Sequence, residues 1–199
     1  MDISPEQTER AIVHAKEAGL DDALSFHVAD ARQALRGAEG LYDVVLAVNS
    51  LHHFSHLEEM MRLIARALRP GGLLILGEYV GPSRFQWAAA QMRAADALLA
   101  ALPEQHRVQR DGRIKRRVIR PSRFSMRLDD PSEAVESAVL MPAPHQRFAV
   151  VEEHPYGSIL HLALYGIAHN FLAEDPAPPR RCGNAWPRRN RPWPASGTT

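Results

Sequence analysis

The residues of this chain that can do chemistry gather just after its candidate strands. Asp2 sits where a preceding strand would end and a helix begins. A carboxylate there can accept two hydrogen bonds from the vicinal hydroxyls of a ribose, as the acid after the second strand of a dinucleotide-binding fold does. An Asp before a helix start is more often a solvated cap. Asp30, in Val28-Ala-Asp-Ala31, follows a second candidate strand. Its carboxylate can accept from an exocyclic adenine amine while Ala31 leaves room for the ring, or it can serve as an N-cap. Asn49-Ser-Leu-His-His53 follows another strand. Asn49 offers an amide to a ligand, and His52 or His53 can act as a general base near neutral pH. In the competing structural reading one histidine packs and bonds to backbone while the other meets cofactor or solvent. Metal binding is not expected: adjacent histidines in one loop do not easily face the same ligand, and no carboxylate or cysteine set with zinc spacing is nearby. Glu78 and Tyr79 end a further strand at the same sheet edge. Both can line a substrate pocket, and Tyr79 can instead close the edge of the core.

These positions need a scaffold, and the periodicity supplies one. Residues 4–19 read as a helix with Ser4 as N-cap, Pro5 at the first helical position, a Ser-x-x-Gln capping box and Gly19 as terminator. Residues 24–28 read as a short strand, followed by a short helix capped by Asp30 that stops near Gly37 or Gly40. Residues 44–48 form a continuous apolar strand, the pattern of a parallel sheet covered on both faces. An amphipathic helix over 55–68 carries Leu57, Met60, Met61, Ile64, Ala67 and Leu68 on one stripe. Pro70-Gly-Gly72 breaks it, and 73–79 is another buried strand. The alternation predicts an α/β fold with a Rossmann-like, mostly parallel sheet and flanking helices.

After Gly81-Pro82 the pattern changes to a long helix over 85–102, a basic and irregular or partly extended stretch over 107–127, and a short helix over 131–141. A strand over 147–153 and a helix over 158–172 come next. The chain thus divides into a partial cofactor-binding core (1–83), a helical substrate region with one late strand (84–175) and a Pro/Arg-rich tail expected to be disordered (176–199). At 199 residues with a formal net charge of +1, global charge excludes no partner class. The single cysteine, Cys182, rules out an internal disulfide framework. No apolar run spans a bilayer and the N-terminus is unlike a signal peptide, so a cytoplasmic protein without membrane contact is expected.

The order acidic-Ile-Ser, Val-Ala-Asp-Ala, Tyr-Asp-Val-Val…Leu-His-His-Phe and Leu-Arg-Pro-Gly-Gly-x-Leu-x-Leu resembles class I S-adenosylmethionine-dependent methyltransferases over roughly residues 1–80. Leu68-Arg-Pro-Gly-Gly72 before the last strand is the most distinctive piece. The resemblance implies S-adenosyl-L-methionine as cofactor and a small molecule as methyl acceptor. It implies Asp2 as the ribose-binding acid with Ile3 beside it, Asp30 and Ala31 at the adenine, and Asn49 and Leu51 near the methionine part. His52 or His53 would face the reacting centre, with Glu78 and Tyr79 on the substrate side. Methyl transfer needs mainly alignment of nucleophile, methyl and sulfur, plus a base where the nucleophile must lose a proton.

The family's first strand, with its acidic-x-Gly-x-Gly turn toward the methionine carboxylate, has no counterpart in these residues. On that ground the chain is expected to be truncated at its front, and its strands to lack a central partner, at about 1–3 kcal/mol per unpaired buried group. The 199-residue chain is then expected to bind the cofactor weakly or not at all. Two rivals compete with the enzyme: a non-catalytic remnant of a methyltransferase, and a nucleic-acid-binding protein using the basic residues Arg107 to Arg127 and those of the tail. Few aromatics interleave with the first basic cluster and no recognition motif is present, so a solvated segment or a lid over an anionic substrate fits it better. A Rossmann dehydrogenase leaves the Arg-Pro-Gly-Gly turn unexplained.

Overall fold

The computed structural model describes residues 1–157 and 159–172. In chain order its main elements are α1 (Pro5–Glu17), α2 (Ala31–Arg36), β1 (Tyr42–Val48), α3 (Leu57–Ala67) and β2 (Leu68–Gly77). The second half holds α4 (Ala89–Ala101), α5 (Arg123–Asp129), α6 (Pro142–His145) and α7 (Ile159–Leu164). The tail proposed for 176–199 lies outside the described residues. No helix among the described residues is long and apolar enough to cross a membrane.

The stripe on α3 builds the first core. Leu57, Met60, Met61, Leu63, Ile64 and Ala67 recur at helical spacing, and all are buried. Each large side chain removed from water in this way contributes about 1.5–3 kcal/mol. They pack under Val45, Ala47, Leu74 and Leu76 of the sheet, with Leu35 from the α2 side and Leu140 and Ala143 from the second half. The strands run parallel, with Val44 beside Leu73 and Val48 beside Gly77, so β1–α3–β2 is one strand–helix–strand unit. A second core joins Trp87, Ala95 and Leu99 to Val118, Leu162, Ala163 and Ile167, where α4 packs on α7. The basic stretch straps that pair together. Lys115 Nζ donates to the carbonyls of Leu162, Ala163 and Tyr165 at 2.8–3.1 Å, and Val118 N–H donates to Asp96 at 2.6 Å.

Several sequence expectations are corrected. Among the described residues nothing covers the second face of the sheet: Val44, Leu46 and Val48 are 47, 64 and 53 % exposed, and Leu73 and Ile75 beside them 50 and 48 %. The alternate residues of the apolar run face α3, and their neighbours face outward, because strand side chains alternate. Residues 24–28 form no strand beyond a parallel bridge between Val28 and Asp2; one bridge offers too few partners to extend a ladder. The 147–153 segment is not a strand either. Pro70-Gly-Gly72 does not form a separate break: α3 ends at Ala67, and β2 is extended from Leu68, absorbing the glycines at a register shift opposite Tyr42 and Val44. The long helix begins only at Ala89. Within 131–141 there is only a 3-10 turn, Ser137–Val139. The 158–172 helix is interrupted at Gly166, whose φ of +79° ends a right-handed run. Only half of the α1 capping box forms, because Asp2 rather than Gln7 takes the Ser4 N–H.

Candidate active site

β1 and β2 end side by side, and the loop leaving one strand meets the loop leaving the other. Asn49 turns the chain out of β1 with φ of +48°, a left-handed conformation that asparagine tolerates better than most residues. Its N–H donates to the Gly77 carbonyl at 2.9 Å. Residues 51–53 then make one turn of 3-10 helix, and the carboxylate of Glu78 satisfies its start. Glu78 Oε1 accepts from the Ser50 and Leu51 N–H groups at 2.9 and 2.8 Å and from the Ser50 hydroxyl at 3.2 Å. Oε2 meets His52 Nδ1 at 2.8 Å. The Glu78 side chain is 1 % exposed and that of His52 9 %. Burial alone would raise the Glu78 carboxyl. The hydrogen bonds from His52, Leu51 and Ser50 outweigh it and hold the group below its usual value. The bond to Glu78 raises His52 above the ordinary histidine value against its own burial, and the charges of Glu78, Glu133 and Asp130 add to the rise.

A turn from the second half closes over the two histidines. Arg84 donates to the carbonyls of Asp130, Pro131 and Glu133 at 2.6–3.3 Å. Val135 N–H donates to the His52 carbonyl at 3.2 Å. These bonds bring Glu133 opposite both rings: its carboxylate lies 3.6 Å from His52 Nε2 and 3.9 Å from His53 Nε2. His53 Nδ1 lies 3.0 Å from the Ser132 hydroxyl, which donates to Asp130 at 2.6 Å. That bond is the main reason the Asp130 carboxyl sits below its ordinary value. Beside this cluster Tyr79 packs edge-on against Phe85, which stacks on Trp87. Tyr79 donates to the Pro82 carbonyl at 3.2 Å, and burial pushes its phenol up to about 12.

The sequence-selected residues fall into two groups. His52, His53, Glu78 and Tyr79 gather at the β1–β2 edge. Glu78, however, is turned inward and holds the loop instead of lining an open pocket. Leu51, expected beside a cofactor, is a core residue with 3 % exposure; only its N–H is used at the edge, by Glu78. The expectation that adjacent histidines do not easily face one ligand is also revised, since both Nε2 atoms approach Glu133. Asp2 and Asp30 belong to a different pair of chain ends, joined by the Asp2–Val28 bridge. Asp2 Oδ1 accepts from Ser4 N–H at 2.7 Å. Asp30 Oδ1 accepts from the N–H groups of Arg32 and Gln33 at 2.7 and 3.3 Å. Ile3 is 73 % exposed, and Ala31 packs against the first core. Each of these acids is bound to its own turn through Oδ1, and a carboxylate, as an acceptor, suits hydroxyl and amine donors. Arg84, Asp130, Ser132 and Glu133 carry no motif that selects them in the sequence; the Asp-Pro-Ser turn signal over 130–132 is the one available pointer.

A groove of about 430 Å³ lies elsewhere, between the start of α3 and the α6 region, lined by His56, Glu59, Arg62, Glu136 and Pro142 among others. It touches none of these groups.

Residues 1–76 match the family model described as a methyltransferase domain. The chain is 44 % identical over 78 residues to 27-O-demethylrifamycin SV methyltransferase of Amycolatopsis mediterranei, a match covering 39 % of this chain and 28 % of that protein. It is 34 % identical over 76 residues to the ubiquinone biosynthesis O-methyltransferase of Caulobacter vibrioides, covering 38 % and 29 %. Norajmaline N-methyltransferase of Rauvolfia serpentina is 32 % identical over 77 residues, covering 39 % and 26 %. The chain thus spans less than a third of the length of these curated relatives. The matched segment ends within β2, so it contains α1 to α3, β1 and the two histidines, with the parallel strand–helix–strand unit at its centre. Residues 1–76 are thus similar to methyltransferase domains, in the family model and in each of these relatives.

Proposed function

We propose that the protein transfers a methyl group from S-adenosylmethionine to an oxygen of a small molecule. The observation that carries this reading is the buried His52–Glu78 pair at the carboxyl ends of two parallel strands, 2.8 Å apart, within a segment of methyltransferase sequence. Oxygen is the acceptor favoured by the relatives, two of which are named as O-methyltransferases or for an O-demethylated substrate.

S-adenosylmethionine, when bound, brings a methyl that is already activated. The chain's residues then bind, orient and remove a proton. Asp2 and Asp30 are proposed to bind the ribose hydroxyls and the adenine amine, with Ile3 and Ala31 beside them and Asn49 on the methionine side. Glu78 is a positioning residue: by accepting the Nδ1 proton of His52 it fixes the tautomer that presents a lone pair at Nε2. His52 Nε2 is the proton acceptor for the substrate hydroxyl, His53 flanks it, and Tyr79 with Phe85 walls the acceptor side.

The test is methyl transfer from radiolabelled S-adenosylmethionine to hydroxylated polyketides and quinols by the full protein. Label in a chloroform-soluble product, lost in His52→Gln while that variant keeps its far-ultraviolet dichroism, is the expected result. Equal labelling by His52→Gln would remove His52 from the chemistry, and the absence of labelled product from any acceptor, with cofactor shown to bind, would overturn the assignment.

A further inference from the structure

We propose that His52, His53 and Glu133 form a binding site for a divalent first-row transition metal ion. The inference goes beyond methyl transfer and does not depend on it.

Proton positions decide what the cluster can hold. His52 Nδ1 faces Glu78, which can only accept, so its Nδ1 carries the hydrogen. Ser132 gives its hydroxyl proton to Asp130 at 2.6 Å, so the Ser132 oxygen must accept from His53 Nδ1. In their neutral form both imidazoles therefore present bare lone pairs at Nε2. Both lone pairs approach one carboxylate, at 3.6 and 3.9 Å. Acceptor facing acceptor is repulsive, and these separations are too long for a hydrogen bond. Something positive between them removes the conflict, and a metal ion does so with the right spacing. Around a tetrahedral ion with bonds of about 2.0–2.1 Å, ligand atoms stand roughly 3.3 Å apart. Here the three ligand atoms lie within 4.8 Å of one another, so closure takes small side-chain movements.

The site is also built from behind. Glu78 on Nδ1 of His52 makes the carboxylate–histidine arrangement that orients metal-bound imidazoles. Asp130 and Ser132 do the same for His53. Arg84 fixes the backbone that carries Glu133. The rings lie 4.3 Å apart, tilted by 39°, which leaves both nitrogens pointing to one side. Two imidazoles and one carboxylate suit zinc, cobalt or nickel better than magnesium or calcium, which take oxygen ligands. Three protein ligands leave a coordination position open, on the side where the His53 and Glu133 side chains are 35 and 27 % exposed. An ion there takes the lone pair that proton acceptance by His52 needs, so the two uses exclude each other.

The experiment is a titration of the full chain, without an affinity tag, with Co2+ followed by visible absorption. Zn2+ competition and a Mg2+ control accompany it. The chain has 10 histidines, so the variants decide the site. Wild type is expected to give a saturable visible band displaced by Zn2+ and not by Mg2+. Glu133→Gln and His53→Gln, both at partly exposed positions, are expected to weaken Co2+ at least tenfold, and Glu78→Gln, which touches no ion, by about 10–100-fold. Absence of the band would overturn the proposal, leaving a proton as the occupant. Equal affinity in wild type, Glu133→Gln and His53→Gln would overturn it as well, placing the ion on other histidines. Because the readout is a spectrum, a protein that binds Co2+ without methyl transfer separates the two proposals, and so does the reverse.

Discussion

Two strand-end regions carry acids that look alike in the sequence and behave differently in the fold. Asp2 and Asp30 each bond to N–H groups two or three residues onward. Glu78 bonds to residues 26 to 28 positions away, while almost wholly removed from water. A local cap holds one turn. A buried acid with distant partners holds two strands and a loop in register, and it cannot be removed without stranding every partner. The difference teaches that an acid after a strand signals a ligand only when its own oxygens remain unspent. Asp2 and Asp30 keep one each; Glu78 uses both.

The sharpest way to break this comparison is Glu78→Ala. Leaving His52 and two N–H groups buried without a partner should cost about 3–5 kcal/mol, as truncating one member of a buried pair does. Urea unfolding of the variant measures it. A loss below about 1 kcal/mol, the level of an exposed cap, would erase the distinction. Next in size, Lys115→Met removes a cation bound to three carbonyls and should lower the urea midpoint by the equivalent of about 1–3 kcal/mol. That loss should arise in the α4–α7 core and leave the visible Co2+ band of the histidine site unchanged. Asp30→Ala should cost about 1 kcal/mol through the lost α2 cap, and Asp2→Ala about half of that at its exposed turn. If the pair instead serves ribose and adenine, both variants weaken S-adenosylmethionine in calorimetry by far more than they lower stability.

The smallest effect is seen at alkaline pH. Burial lifts the Tyr79 phenol to about 12 from 10.0. The folded chain therefore keeps this proton where the unfolded chain releases it. The stability Tyr79 contributes is complete below pH 10 and fades as pH rises toward 12. Tyr79→Phe should flatten that part of the thermal-stability curve, and an unchanged slope would show that the ring is solvated.

Legibility in the sequence tracks the range of the forces involved. The α3 stripe, the Ser4 and Asp30 caps and the apolar runs of β1 and β2 are local patterns, and they are readable. The histidines stand out because they come directly after a strand. Glu133 does not, since nothing near residue 133 announces that Arg84 will hold its backbone against a loop 79 positions back in the chain from Ser132. The open sheet face is hidden because an unbroken apolar run reads the same whether both sides are covered or one. The absent strands at 24–28 and 147–153 are over-read for the complementary reason: alternation describes a side-chain pattern, whereas a strand needs a hydrogen-bonding neighbour.

The grip of Arg84 on the 130–133 turn has a kinetic corollary. Contacts that join segments so far apart in sequence form after the short loops have closed. The β1–α3–β2 unit can condense early, with Glu78 already seated under His52. The carboxylate of Glu133 arrives only when the later half of the chain docks. The cluster is therefore complete only where both halves of the chain have met, since His52 and His53 come from one and Glu133 from the other.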